Sequence, residues 1–205
     1  MKVLVTGFEP FGGMTVNPTE KMANTLQKEG IQGVDIVTTT LPVVYEDCVK
    51  QLLKKVVSET PDFIICCGLA YGRAVVTVER IGINIKDTAG EGLKGDNRGD
   101  KPIDEKIFPE GPDGIFSSLP IRTIVNELKN SGVPAQISNS AGTYICNNTL
   151  YGILHYIEQN DLNMKAGFIH FPATPEMVID KPNTPSMSFE TQLNALKIIV
   201  QSLTK

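Results

Sequence analysis

Cys146 is the residue of this chain best placed to act as a nucleophile. It follows Ser138-Asn139-Ser140-Ala141-Gly142-Thr143-Tyr144-Ile145, where a strand pattern gives way to small residues, a glycine and then a helical pattern. A helix N-terminus offers backbone N–H groups without intrahelical partners and a positive partial charge. Both favour a thiolate and lower a cysteine pKa. The same N–H groups can hold the oxyanion of a tetrahedral intermediate. The position equally suits a cysteine packed at the start of a core helix. Cys66 and Cys67 are adjacent in an apolar run, so in a strand they face opposite ways. Cys48 lies in a helical pattern, and all three read as small buried hydrophobes. No CxxC pair and no histidine at zinc-ligand spacing accompanies them, so no metal site is expected.

A thiol nucleophile needs a base, and the chain has 2 histidines. His155 follows Cys146 in the same helical pattern, and at about 100° per residue the two point to opposite faces. It reads as a surface or interface histidine. His170 closes the apolar run Ala166-Gly167-Phe168-Ile169 just before a Pro-containing loop. In open α/β sheets, sites gather outside the carboxyl ends of strands. His170 is therefore placed as a base should be, though a packed strand-end histidine would look the same. Glu79, in Val76-Thr77-Val78-Glu79-Arg80, is a carboxylate among apolar strand neighbours, which is costly unless it is paired. Arg80 points to the other face of such a strand, leaving His170 as a partner. The alternative is an edge-strand carboxylate facing water.

Phe8 and Phe11, in Gly7-Phe8-Glu9-Pro10-Phe11-Gly12-Gly13, suggest either an aromatic wall beside a sheet edge or plain packing under a turn. This glycine-rich stretch lacks GxGxxG spacing, and Gly90 to Gly99 contains no GK[ST], so neither supports phosphate binding.

Regular elements must position these groups. Lys2 to Phe8 is a compact apolar strand pattern, and Asn17-Pro18-Thr19-Glu20 opens a helix that Gly30 ends. There Asn17 caps, Pro18 takes the first helical position, and Glu20 can complete a capping box. Val34 to Leu41 reads as a strand, and Tyr45 to Thr60 as a helix with Val49, Leu52, Leu53, Val56 and Val57 on one face. Phe63 to Gly68 is a buried strand, and Val75 to Ile85 a strand or hairpin arm. Residues 86 to 119 are rich in Gly, Asp, Pro and Lys and form a long surface excursion. A helix over Pro120 to Asn130, a strand over Pro134 to Ser138, a helix over Cys146 to Gln159 and a strand over Lys165 to Phe171 follow. Pro172 to Pro185 is a second irregular loop before a closing helix over Ser188 to Leu203. Alternating strands and helices predict a three-layer α/β sandwich, with a mixed, twisted central sheet and helices on both faces. The length, 205 residues, fits a single domain over residues 1–205.

The bulk properties exclude several classes. A net charge of −4 with dispersed Lys and Arg is no nucleic-acid footprint. No apolar run approaches the roughly 20 residues of a membrane helix. The opening MKVLVTGFEPFGG meets Glu9 and Pro10 too soon for a signal peptide, so a cytoplasmic protein is expected.

Taken together the motifs resemble one family, pyroglutamyl-peptidase I, also called pyrrolidone-carboxylate peptidase. GFEPFGG followed by Asn17-Pro18 carries part of the resemblance. Gly68-Leu69-Ala70-x-Gly72-Arg73 running to Glu79-Arg80-Ile81-x-Ile83-Asn84 looks like the family's acidic-residue signature. Ser138 to Asn147 looks like its cysteine signature, and Phe168-Ile169-His170-x-Pro172 and Pro185-Ser186-Met187-Ser188 also fit. The resemblance implies a Cys-His-Glu triad of Cys146, His170 and Glu79. It also implies a pocket for a flat lactam ring walled by Phe8, Phe11 and Tyr144, with Asn17 near the entrance. The implied substrates are peptides with an N-terminal pyroglutamyl residue, the implied cofactor is none, and the implied assembly is a cytoplasmic homotetramer. Two departures stand out: Gly82 replaces the family's usual alanine, and the segment Thr88 to Gly95 is longer than usual. Two other readings share the pattern. A nucleoside phosphorylase or hydrolase would need a phosphate or ribose site, and a non-catalytic binding protein would have an ordinary, slow-reacting Cys146.

Overall fold

A computed structural model describes residues 1–89 and 95–203. The described elements are β1 (Lys2–Phe8), α1 (Pro18–Glu29), β2 (Asp35–Leu41), α2 (Tyr45–Glu59), β3 (Phe63–Leu69), β4 (Val76–Glu79), β5 (Ile81–Ile83) and β6 (Gly114–Phe116). Then come α3 (Ile121–Asn130), β7 (Ala135–Ser138), α4 (Ile145–Gln159), β8 (Lys165–Phe171) and α5 (Phe189–Ser202). A single 3₁₀ turn over Pro175–Val178 interrupts the Pro172 to Pro185 loop.

Six strands form one sheet in the order β2-β1-β3-β8-β4-β7. All neighbours run parallel except β4 and β8, which are antiparallel. The sheet is mixed as expected, but not because of a hairpin. The Val75 to Ile85 pattern is two strands in two sheets: β4 lies inside the main sheet, while β5 pairs with β6 against α4. The break falls at Arg80, whose N–H still reaches the Ser138 carbonyl and whose Nε donates to Asn139 Oδ1.

Strand alternation divides the core. Val3, Val5, Ile65, Cys67, Val76, Val78, Ile169 and Phe171 meet α1, α3 and α5. Leu4, Phe8, Ile64, Cys66 and Phe168 meet α2 and α4. Cys66 and Cys67 thus lie on opposite faces, both buried.

Asn17 caps α1 by accepting from the Thr19 N–H, with Pro18 in the first turn. The capping box does not form as expected. The Glu20 carboxylate accepts instead from the Thr40 hydroxyl on β2. α2 buries Tyr45, Cys48, Leu52 and Val56, but Val57 is exposed. Its buried stripe follows i, i+3, i+7, i+11, which places Val57 off the face. The 86 to 119 excursion holds β6, an isolated bridge between Lys86 and Glu105, and buried Asp87, Thr88 and Asp96. It is therefore a built part of the molecule and not only surface. Residues 90–94, the middle of the unusual segment, lie outside the described residues.

Candidate active site

β8 is central in the sheet and ends at the site. Its alternation turns Phe168 and His170 toward the α2/α4 face. In register, His170 sits beside Gly68 of parallel β3 and opposite Thr77 of antiparallel β4. Because β4 runs away from the site end, Glu79 lies two residues deeper in the sheet than Thr77, on the same face. It has 0% exposure, and His170 has 4%. With β7 on its other side, β4 is no edge strand, so the water-facing reading of Glu79 does not hold.

His170 Nδ1 lies 2.8 Å from Glu79 Oε1. Arg73 Nη1 donates to that same oxygen at 2.8 Å and to the Thr77 hydroxyl at 2.6 Å. Burial alone pushes the Glu79 carboxyl up. The hydrogen bond and charge of His170, with Ser138 and Arg73, overcome this and hold it below its ordinary value. An ionised carboxylate only accepts, so the proton of the pair belongs on His170 Nδ1. Nε2 is left as the nitrogen available for proton exchange. The other carboxylate oxygen, Oε2, is buried and has no hydrogen-bond partner among the described residues.

Cys146 is the second residue of α4. The first α-helical bond here is donated by Asn148 to the Tyr144 carbonyl, so the N–H groups of Ile145, Cys146 and Asn147 precede the ladder. Gly142, at φ 78°, turns the chain into this start in a conformation that suits glycine. Asn147 then locks it: its amide accepts from the Ile83 N–H at 2.9 Å and donates to the carbonyls of Ile83 and Ile85. Asn148 donates to the Tyr45 carbonyl at 2.7 Å. Gly68 completes the fit. A Cβ there would lie 2.9 Å from Cys146 Sγ and 2.7 Å from the Phe168 ring. The missing side chain therefore leaves room for the thiol over the strand beside His170.

Cys146 and His170 line one cavity of about 300 Å³, with Phe8, Phe11, Tyr144, Asn17 and Arg73 also in its walls. Phe11 and Tyr144 lie tilted, ring centroids 6.4 Å apart, and Tyr144 meets Tyr45 edge-on. Burial pushes the Tyr144 phenol up to about 12, and it donates to the Gly95 carbonyl. Asn17 is a buried residue of the cavity wall. Its amide is taken up by Thr19 and by the Glu9 carbonyl. His155 is remote from the cavity, stacked on Phe108 at 4.2 Å.

The four cysteines sort by environment. Burial pushes the thiols of Cys48 and Cys66 up to about 11 and 12, and that of Cys67 well above its ordinary value. Cys146 alone lines this cavity. Arg73 is the participant that the sequence reading passed over. It lies six residues before Glu79, and strand periodicity says nothing of a loop arginine folding back along β4. A buried carboxylate that needs a cation was the signal available.

The model of the family described as pyroglutamyl peptidase matches residues 1–205 of this chain. Pyrrolidone-carboxylate peptidase 1 of Caldanaerobacter subterraneus subsp. tengcongensis is 44% identical over 205 residues, covering 100% of this chain and 98% of the relative. The pyrrolidone-carboxylate peptidase of Bacillus licheniformis is 46% identical over 197 residues, 96% of this chain and 89% of the relative. Among solved structures, pyroglutamyl peptidase I from Bacillus amyloliquefaciens superposes with a TM-score of 0.93 at 38% identity, covering 98% of this chain and 94% of that one. A mutant pyrrolidone carboxyl peptidase from Pyrococcus furiosus gives a TM-score of 0.94 at 42% identity, covering 100% and 99%.

Proposed function

The chain belongs to the pyroglutamyl peptidase family, and we infer that it is a cysteine-type peptidase that hydrolytically removes an N-terminal pyroglutamyl (5-oxoprolyl) residue from peptides. The observation that carries the mechanism is the cavity shared by Cys146 and a His170 whose far nitrogen is held by Glu79.

In this reading the Cys146 thiolate adds to the carbonyl carbon that joins pyroglutamate to the next residue. N–H groups at the start of α4 receive the oxyanion. Protonated His170 gives its proton to the departing amine as the C–N bond breaks, leaving a thioester. Neutral His170 then takes a proton from water, whose oxygen attacks the thioester, and the thiolate leaves with pyroglutamate released. Glu79 keeps His170 in one tautomer and stabilises its cation, in the logic of a Ser-His-Asp triad. Arg73 fixes the Glu79 carboxylate. A pyroglutamyl residue has no free α-amine, so apolar walls from Phe8, Phe11 and Tyr144 suit its flat lactam ring better than an acidic clamp. The chemistry as written needs no cofactor. Residues 1–205 act in it as a single cysteine-peptidase domain, and a cytoplasmic homotetramer is the setting the family resemblance supports.

The test is hydrolysis of a pyroglutamyl fluorogenic amide by the wild type and by Cys146→Ala, beside an alanyl amide. Turnover of the pyroglutamyl substrate only, abolished in the variant, is expected. Undiminished turnover by Cys146→Ala would sink the mechanism.

A further inference from the structure

A second concavity, of about 560 Å³, adjoins the Cys146 cavity. Tyr71 lines both, and at the start of α1 they are one peptide bond apart, since Asn17 lines the first and Pro18 the second. The floor is apolar and aromatic, with Val16, Met177 and Phe189. Two cations sit on it: Lys21 Nζ lies 4.3 Å from the Phe189 ring centroid, and Lys181 Nζ lies 4.8 Å from that of Tyr71. Both lysines are exposed. The Tyr71 hydroxyl bonds the Met177 carbonyl, tying the shared wall to the 3₁₀ turn at 3.4 Å. Glu176 is the acid among the lining residues, so two ammoniums face one carboxylate. This positive rim stands on a chain whose net charge is −4.

We propose that this groove receives the residues that follow the pyroglutamyl group, and that Lys21 and Lys181 favour carboxylate-bearing residues there. The proposal rests on the pyroglutamyl peptidase reading of the first cavity. A substrate cut at its first residue must lead the rest of its chain out of the Cys146 cavity, and Tyr71 forms a continuous wall from one concavity into the next. The first cavity is at the small end of ligand pockets, roughly 300 Å³, so it accommodates a ring but not the following chain. Apolar floor and charged rim are the division of labour of a peptide groove: area for side chains, charge for selection and steering.

The experiment compares three substrates: a neutral pyroglutamyl coumarylamide with no residue after the cleaved bond, and two C-terminally amidated pyroglutamyl tetrapeptides, one carrying glutamates and one carrying lysines at the downstream positions. Wild type is expected to favour the acidic over the basic tetrapeptide by about fivefold in kcat/KM, in line with two exposed ion pairs. The preference should shrink as salt is raised. Lys21→Glu/Lys181→Glu should leave coumarylamide turnover within about twofold and reverse the tetrapeptide preference. Equal turnover of both tetrapeptides by wild type, or a charge-reversed variant that changes all three substrates alike, overturns the groove. Loss of coumarylamide turnover in the wild type would instead overturn the underlying activity, so the two failures are distinct.

Discussion

Beneath α1, α3 and α5 the sheet meets Met22, Leu26, Ile124, Leu128, Leu196 and Ile199, an almost wholly aliphatic layer. Beneath α2 and α4 it meets Tyr45, Tyr144 and Tyr151 beside the fully or nearly buried Asn147, Asn148 and Thr149. The first layer is held by area and close packing, which is non-directional. The second is held also by side chains that bond backbone at a distance in the chain, such as Asn147 to Ile83 and Ile85 or Tyr151 to the Pro112 carbonyl. A layer built only of aliphatic contacts tolerates small rotations of its helices. Directional bonds do not, and α4, which carries Cys146, is held by several of them, where α5 on the other layer has the buried Gln192 amide on the Pro172 and Met187 carbonyls. Position is specified where chemistry needs it, and volume is filled elsewhere.

The sharpest break of this contrast is at the triad. His170→Ala or Glu79→Gln should lower kcat/KM by roughly 10²–10⁴-fold while the thermal transition stays cooperative; a loss under tenfold in either would remove it from the catalytic group. On the other layer, Leu128→Ala should cost about 2–5 kcal/mol of stability through transfer and cavity terms, yet leave kcat unchanged at temperatures where the variant is folded. Urea unfolding paired with active-site-titrated kinetics reads both. Asn147→Ala mixes the two: about 2–3 kcal/mol lost from orphaned buried partners, plus a lowered kcat because α4 loses its anchor. Should kcat survive Asn147→Ala intact, pinning is not what positions the thiol. Gly82→Ala is smaller. A Cβ there would lie 2.9 Å from the Tyr151 nitrogen and 3.0 Å from its Cα, both backbone of α4, so about 1–2 kcal/mol of destabilisation is expected by calorimetry.

The smallest effect is in acid. The Glu79 carboxyl is held below its ordinary value in the folded chain. Its contribution to stability is then complete above the unfolded pKa, near 4.5, and is lost as pH falls through the folded value. Wild type should therefore lose more stability than Glu79→Gln as pH falls below about 4.5. Parallel melting curves of the two would show that Glu79 is not a charged partner of His170.

Much of this was legible in the sequence because the signals were local. The Lys165 to Phe171 run gives β8 to the residue, and Asn17-Pro18 gives the start of α1. The scarcity of histidine, with the periodicity of α4, separated His170 from His155. What was not legible depended on partners far along the chain. β5 leaves the main sheet because β6 offers it a strand some thirty residues later, and no periodicity within Val75 to Ile85 encodes that. Val57 looked like core because it is apolar; only the packing of α2 against α4 and β2 shows which stripe is covered. Arg73 differs: its partner Glu79 is only six residues on, but it is reached from a loop, and neither strand nor helix spacing encodes that contact.

The placement of β8 has a consequence for how the molecule comes into being. It is the strand that joins β3 to β4, yet it is among the last elements in chain order. While the chain emerges residue by residue, β1, β2 and β3 can zip together early, and β4 can pair with β7, but nothing links the two groups until Lys165–Phe171 arrives. Closing so long a loop is entropically costly and makes this step slow among the folding events. The thiol of Cys146 therefore exists in the nascent chain before the imidazole that would arm it, separated by the time needed to add the residues up to His170. Hydrolytic competence switches on only after nearly the whole sheet has knit, which makes activity itself a late clock of folding.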